Sequence, residues 1–193
     1  MAKKLTQKQM TKRLVISAVF IAISIVLNEL LSIKWPFGGS ITVFSMVPLA
    51  LLGWQYGVRW GLLCGAVMGV LDMIIGGLSN FSYVSGIAGY LILILADYFV
   101  AFGVLGLAGM FKNKIKNDTV AFALGAGIGC FLRFVCHFIS GVTIWGEYAN
   151  GWQSVWAYSL TYNGGYMLPE LIITVVGCII VINVKPIMRA LED

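Results

Sequence analysis

Most of this chain reads as oil, in long apolar runs separated by short polar or glycine-rich stretches. Lys3, Lys4, Lys8, Lys12 and Arg13 precede a first run, from about Leu14 to Leu31, long enough for a membrane-spanning helix. Lys34, Trp35 and Pro36 follow it. The Gly38, Gly39, Ser40 turn opens a second, shorter run from about Ile41 to Gly53. Gly57 and Arg59 mark the next crossing point. The third run, about Trp60 to Ile75, carries Gly61, Gly65 and Gly69 at four-residue intervals, which predicts a close-packing face for a neighbouring helix. A polar, uncharged loop with Asn80, Phe81 and Tyr83 at its tip leads to a fourth run from about Ile87 to Met110. Lys112, Lys114 and Lys116 end it, and Asp118 and Thr119 are placed to cap a fifth helix reaching about Ser140. Gly125, Gly127 and Gly129 inside that helix read as packing positions, since no strand precedes them to make a phosphate loop. A long aromatic loop, Gly141 to Trp156, precedes the sixth run, about Ala157 to Val184, which ends at Lys185, Pro186 and Arg189.

Composition turns these runs into a class. The chain of 193 residues is 60% hydrophobic and 11% charged, with a mean hydropathy of +0.92. In soluble domains about a quarter of residues are charged. The expectation is an all-α integral membrane bundle of six transmembrane helices, a single domain over residues 1–193 with a short tail at 1–13. No large soluble domain remains, and no GxxxxGK[ST] stretch exists to bind nucleotide phosphates, which excludes a built-in ATPase. The first helix is read as uncleaved, because its apolar stretch is of spanning length and no small-residue cleavage site follows.

Charge supplies the orientation. With six spans, the basic amino terminus, Arg59, the Lys112 to Lys116 cluster, Lys185 and Arg189 fall on one side, which the positive-inside rule makes cytoplasmic together with both termini. Lys34 and the intramembrane Arg133 are the exceptions. The net charge of +5 is explained by this distribution and needs no nucleic acid. Cys64, Cys130, Cys136 and Cys178 show no CxxC spacing, so neither a disulfide frame nor a zinc site is suggested. A single histidine and scattered carboxylates make no metal site. No nucleophile has a paired base, so the chain is not read as an enzyme, and nothing calls for a cofactor.

The candidate chemistry gathers between Arg133 and Asn163. This stretch holds the only histidine, His137, one helical turn after Arg133, and the aromatic residues Trp145, Tyr148, Trp152, Trp156, Tyr158 and Tyr162. Arg133 and His137 share one helix face, and a cation and an imidazole within an apolar helix imply either a polar site or a satisfied structural pair. Glu29, Asp72, Asp97 and Glu170 are the other ionisable groups in or near the runs. Asp97, flanked by apolar residues on both sides, needs a cation, either Arg133 or a cationic ligand. The tryptophans fit an interfacial belt or the wall of a pocket. A carboxylate beside a tryptophan face and imidazole or amide hydrogen-bonders suits a small planar cation.

The residues then resemble a known family over essentially the whole length. They are Phe134 to Gly141 (FVCHFISG), Ile144 and Trp145, Tyr148 with Gly151 and Trp152, and Ala157 to Leu160 with Asn163 (AYSLTYN), supported by the pair Asp97 and Tyr98, by Gly38 to Ser40 and by Leu105 to Phe111. This pattern is similar to the thiamine-specific substrate-binding components of energy-coupling factor (ECF) vitamin importers. The resemblance implies capture of thiamine from outside the cell and docking on a transmembrane coupling subunit driven by two cytoplasmic ATPases. It implies that Asp97 is the ligand-binding acid with Tyr98 beside it, that His137 and Trp145 embrace the thiazolium, and that Tyr158 and Asn163 contact the ligand from the last helix. Arg133 is implied near the hydroxyethyl end, Tyr83 at the outer loop, and Ala18 and Ala22 on the first helix as the face that docks on the coupling subunit. The loop with Gly38 and Gly39 is implied as a lid. The rival reading is a stand-alone, proton-coupled secondary transporter of a small organic cation, with Asp97, Arg133 and His137 as a proton relay.

Overall fold

A computed structural model describes residues 5–35 and 39–192 of the chain. Lys3 and Lys4 of the basic terminus, and Pro36 and Gly38 of the expected lid, lie outside the described residues.

Among the described residues, five helices are long and apolar enough to cross a membrane: α1 (Gln7–Leu30), α3 (Val58–Tyr83), α4 (Gly86–Gly109), α5 (Asp118–Thr143) and α6 (Val155–Ile182). At about 1.5 Å per residue, 24 to 28 residues reach about 36 to 42 Å, enough to span the roughly 30 Å hydrocarbon layer with a turn or more left over. The second expected span takes another form. Residues Ser32–Lys34 (β1) and Ser40–Thr42 (β2) pair as an antiparallel hairpin, with Ile33 opposite Ile41, and only then does α2 (Val47–Tyr56) begin. Its ten residues reach about half a bilayer, and all but Gln55 are buried. Pro48 sits in its first turn, where a missing N–H costs nothing. A short α7 (Lys185–Leu191) ends the chain.

Local signals explain the helix starts. Thr6 and Gln9 form a capping box on α1, with Thr6 Oγ1 accepting from the Gln9 amide at 3.3 Å. Asn117, one residue before the expected cap, accepts from the Val120 amide at 3.1 Å and opens α5. Ser154 accepts from Ala157 N at 3.1 Å and opens α6.

The helices pack in a manner that only lipid tolerates. On α1 the buried positions are Ser17, Ile21 and Ser24, while Leu14, Val15, Val19, Ile23 and Val26 face outward. Ser17 accepts from the Trp60 indole at 2.9 Å. Inside, glycines let backbones touch. A Cβ on Gly61 would stand 2.5 Å from the Gly53 Cα and 2.7 Å from the Gly106 Cα, and one on Gly65 or Gly69 would strike the carbonyls of Phe102 or Tyr98. The face expected from Gly61, Gly65 and Gly69 is therefore real, and its partner is α4. Gly125 and Gly129 of α5 pack on Ala108 and Leu105 in the same way, whereas Gly127 meets only Val175.

Both ends of the chain meet on one side. Lys12 donates to the carbonyl of Glu192, the Arg13 guanidinium lies 4.9 Å from the Tyr56 ring centroid, and Lys112 Nζ donates to the Trp54 carbonyl at 2.9 Å. Burial there pushes the Lys112 ammonium below its ordinary pKa, with Asp118 pulling the other way.

Candidate functional site

Asp97 lies on α4 where the helix widens into a π-helical stretch, Leu93–Phe99, a local irregularity often found at functional positions. At 9% exposure its carboxylate requires donors, and three converge on it. Oδ1 faces His137 Nδ1 at 3.1 Å and accepts from the Ser140 hydroxyl, while Oδ2 accepts from the Trp145 indole at 3.0 Å. His137 and Ser140 are three apart on α5, which puts both on the face turned to α4. Trp145 follows in the turn that closes α5, its amide donating to the Ser140 carbonyl at 3.2 Å. His137 Nε2 is buried and has no hydrogen-bond partner among the described residues, so the far edge of the ring faces the interior with one polar atom unused.

The amide of Asn163 on α6 extends this cluster. Its Nδ2 donates to the His137 carbonyl at 3.2 Å and to the Ser159 carbonyl and hydroxyl at 3.0 and 3.1 Å. Its Oδ1 accepts from Tyr166 at 2.9 Å, which fixes the amide's orientation. Gly141 is the place of closest approach, since a Cβ there would fall 2.9 Å from Asn163 Nδ2. Tyr158 is buried and heads a ladder of rings along α6, 5.5 Å from Tyr162, which is 5.8 Å from Tyr166.

The remaining expected residues are distributed differently. The basic α5 side chain that meets the Asp97 carboxylate is His137 rather than Arg133. Arg133, 8% exposed, lays its guanidinium 3.9 Å from the Phe102 ring centroid, with Nε and Nη1 finding no hydrogen-bond partner among the described residues. Tyr98 turns toward α3, where its hydroxyl accepts from Asn80 at 2.7 Å. Tyr83 is 60% exposed at the end of α3, and none of the described hydrogen bonds or ring contacts ties it to Asp97. Trp156, also exposed and 5.7 Å from Phe138, fits the belt reading. Asp72 accepts from Asn28 at 2.8 Å, beside the exposed Glu29. Ala18 and Ala22 are exposed on the outward face of α1.

Sequence reasoning passed over Ser140, Ser159 and Tyr166. The serine three residues after His137 and the tyrosine four after Tyr162 were detectable as same-face neighbours. Their partners were not, because those partners sit on other helices or depend on side-chain direction. Among the described residues no group of three or more His, Cys, Asp or Glu side chains is placed to hold a metal. What the cluster offers is one buried acid, an imidazole, an indole and a fixed amide, which can neutralise and enclose a flat cation.

Comparison with known proteins fits this architecture. Residues 14–190 match the thiamine transporter protein family (Thia_YuaJ). The chain is 30% identical to the thiamine transporter ThiT of Bacillus subtilis (strain 168), over 96% of this chain and 98% of that one. It is 32% identical to the thiamine transporter ThiT of Lacticaseibacillus paracasei, over 78% and 77%. A solved structure of ThiT from Listeria monocytogenes shares the fold, with a TM-score of 0.73 at 22% identity, covering 97% of this chain and all of that one. An apolar helical bundle matched from end to end is a multi-pass protein of the bacterial cell membrane, and this chain belongs to the thiamine transporter protein family, whose named members are transport proteins rather than enzymes.

Proposed function

We propose that this protein binds thiamine from outside the cell and delivers it to the cytoplasm as the substrate-binding component of an ECF-type, ATP-driven importer. The observation that carries the reading is the buried carboxylate of Asp97, held between His137, Ser140 and Trp145 in a bundle of a thiamine transporter family. The thiazolium is a flat cation. Asp97 would neutralise it, the rings of His137 and Trp145 would enclose it, and Tyr158 and Asn163 would line the α6 side. Arg133 would stand near the hydroxyethyl end, Tyr98 next to the acid, and Tyr83 at the outer mouth.

The whole chain acts as one membrane domain. Its clustered basic residues place both termini in the cytoplasm. With no nucleotide site in the sequence, energy would come from two cytoplasmic ATPases through a transmembrane coupling subunit. Ala18 and Ala22, small and exposed on the lipid-facing side of α1, would admit a helix of that subunit at close range.

Titrating thiamine into detergent-purified, ligand-free protein, with tryptophan fluorescence as the signal, tests the binding step. Saturable quenching is expected, and a folded protein that does not respond would remove thiamine from this site. Uptake by a host lacking the coupling subunit and ATPases separates the two transport modes. Leucines at Ala18 and Ala22 should leave binding intact and abolish uptake in the full complex.

A further inference from the structure

Glu170 lies on α6 beyond Asn163 and Tyr166 and is 2% exposed. A carboxylate at that depth needs partners. They come from the hairpin, 128 residues earlier in the chain: Oε1 accepts from the Thr42 amide at 3.3 Å and from the Thr42 hydroxyl. The Thr42 hydroxyl also lies 2.5 Å from that of Ser45. Between them stands Phe44 at φ 60, a left-handed conformation unfavourable for a side chain that large, its ring seated against Gly177 of α6. The turn from β2 into α2 is thus held in a shape it would not keep alone, and Glu170 is the acceptor that ends the relay of hydroxyls.

The rest of the hairpin meets α6 as well. A Cβ on Gly165 would fall 3.0 Å from Trp35 Nε1, and one on Gly39 would fall 2.7 Å from the Tyr166 ring. Tyr166 in turn holds Asn163. The hairpin therefore contacts α6 at Gly165, Tyr166 and Glu170, and the middle contact orients a side chain of the candidate site.

We propose that Glu170 is a positioning residue: through Thr42 and Ser45 it seats the β1–β2 hairpin against the α6 wall of the site and so sets how long a bound ligand stays. The residence-time half of this rests on the reading that thiamine occupies the Asp97 cluster. The seating half does not.

The test uses the full chain in detergent, with Glu170→Leu, Thr42→Val and Glu170→Gln. Two quantities are read: the thiamine dissociation rate by tryptophan fluorescence, and tryptic cleavage of ligand-free protein after Lys34, which is exposed on β1, measured as the fragment beginning at Trp35. Glu170→Leu should speed both release and cleavage by about tenfold, the scale of leaving a buried donor without its acceptor, with association changed far less. Thr42→Val should shift both in the same direction, and it carries the test if the leucine variant does not fold. Glu170→Gln keeps an acceptor at Oε1 and should restore wild-type behaviour. Wild-type cleavage and release in a folded Glu170→Leu or Thr42→Val variant would overturn the proposal, as would a glutamine variant as impaired as the leucine one. If thiamine fails to bind even the wild type, the site reading falls and the cleavage rates alone decide whether Glu170 seats the hairpin.

Discussion

The stretch of α4 around Gly106, where it meets α2 and α3, and the stretch around Asp97, where it meets α5, are built on opposite chemistry. On the first, Gly106 and Gly109 meet Gly53 and Gly61 with no side chain between the backbones, so contact is made by what is missing. On the second, Asp97 meets His137, Ser140 and Trp145, and contact is made by polar groups that satisfy one another. In lipid neither can be driven by excluding water. The glycine seam gains dispersion from backbone proximity and has no alternative arrangement, because any added atom collides. The polar cluster trades one set of hydrogen bonds for another at modest net cost, so a ligand offering equivalent partners can enter it. The seam is suited to be the frame and the cluster to be the part that changes.

Substitutions in the two regions should therefore fail in different ways. The largest effect is expected at Gly106, where a Cβ would run into the backbone of Gly61 and Leu62. Gly106→Val should cost about 3 kcal/mol or more and leave little monodisperse protein on size exclusion in detergent, whereas Gly164→Ala, which meets open space, should stay within about 0.5 kcal/mol of wild type. A stable Gly106→Val protein would mean that the seam is not the frame.

Next in size is Asp97→Asn, which keeps the shape and removes the charge. It should leave the protein folded and weaken thiamine binding by about 1–3 kcal/mol, roughly 5- to 150-fold by calorimetry. Equal affinity would take Asp97 out of the cation site. Smaller again is Trp145→Phe, which retains a ring but loses the indole donor to Asp97. About 1 kcal/mol of affinity should go with it, along with most of the ligand-induced quenching. Quenching as large as in wild type would assign the signal to another tryptophan.

The smallest shift is expected for Tyr166→Phe. Its hydroxyl holds Asn163 at 2.9 Å without belonging to the Asp97 group, so affinity should drop by about 0.5–1 kcal/mol with the fold unchanged. A loss as large as that of Asp97→Asn would extend the polar cluster to include Tyr166.

Much of this was legible in the residues themselves. Apolar runs marked all five full-length helices, missing only the polar first two turns of α1 from Gln7 and the end of α3 from Gly76 to Tyr83, since spanning length is a local sum of transfer free energies. The glycine repeats announced a packing face. Lys12, Arg13, Lys112 and the carboxyl-terminal turn, placed on one side by counting spans, do meet there. His137, Trp145, Asp97 and Asn163 stood out as polar or aromatic groups in oil, where each needs a reason. The second span misled because Ile41 to Gly53 is apolar enough to suggest a crossing, yet its first residues pair with β1 and only ten later ones form α2.

Sequence by itself thus determined the solvent this protein lives in, where its five long helices run, the side its ends share and the residues from which a cation site could be made, because these depend on composition and spacing along one segment. Tertiary structure alone decided that Asp97 faces His137 while Arg133 lies on Phe102, that Tyr98 turns to Asn80, and that Glu170 is held by Thr42. Each of those pairings depends on the relative rotation and depth of elements far apart in the chain, altered at Asp97 by a π-helical stretch, and an angle between two helices is not a property of either one.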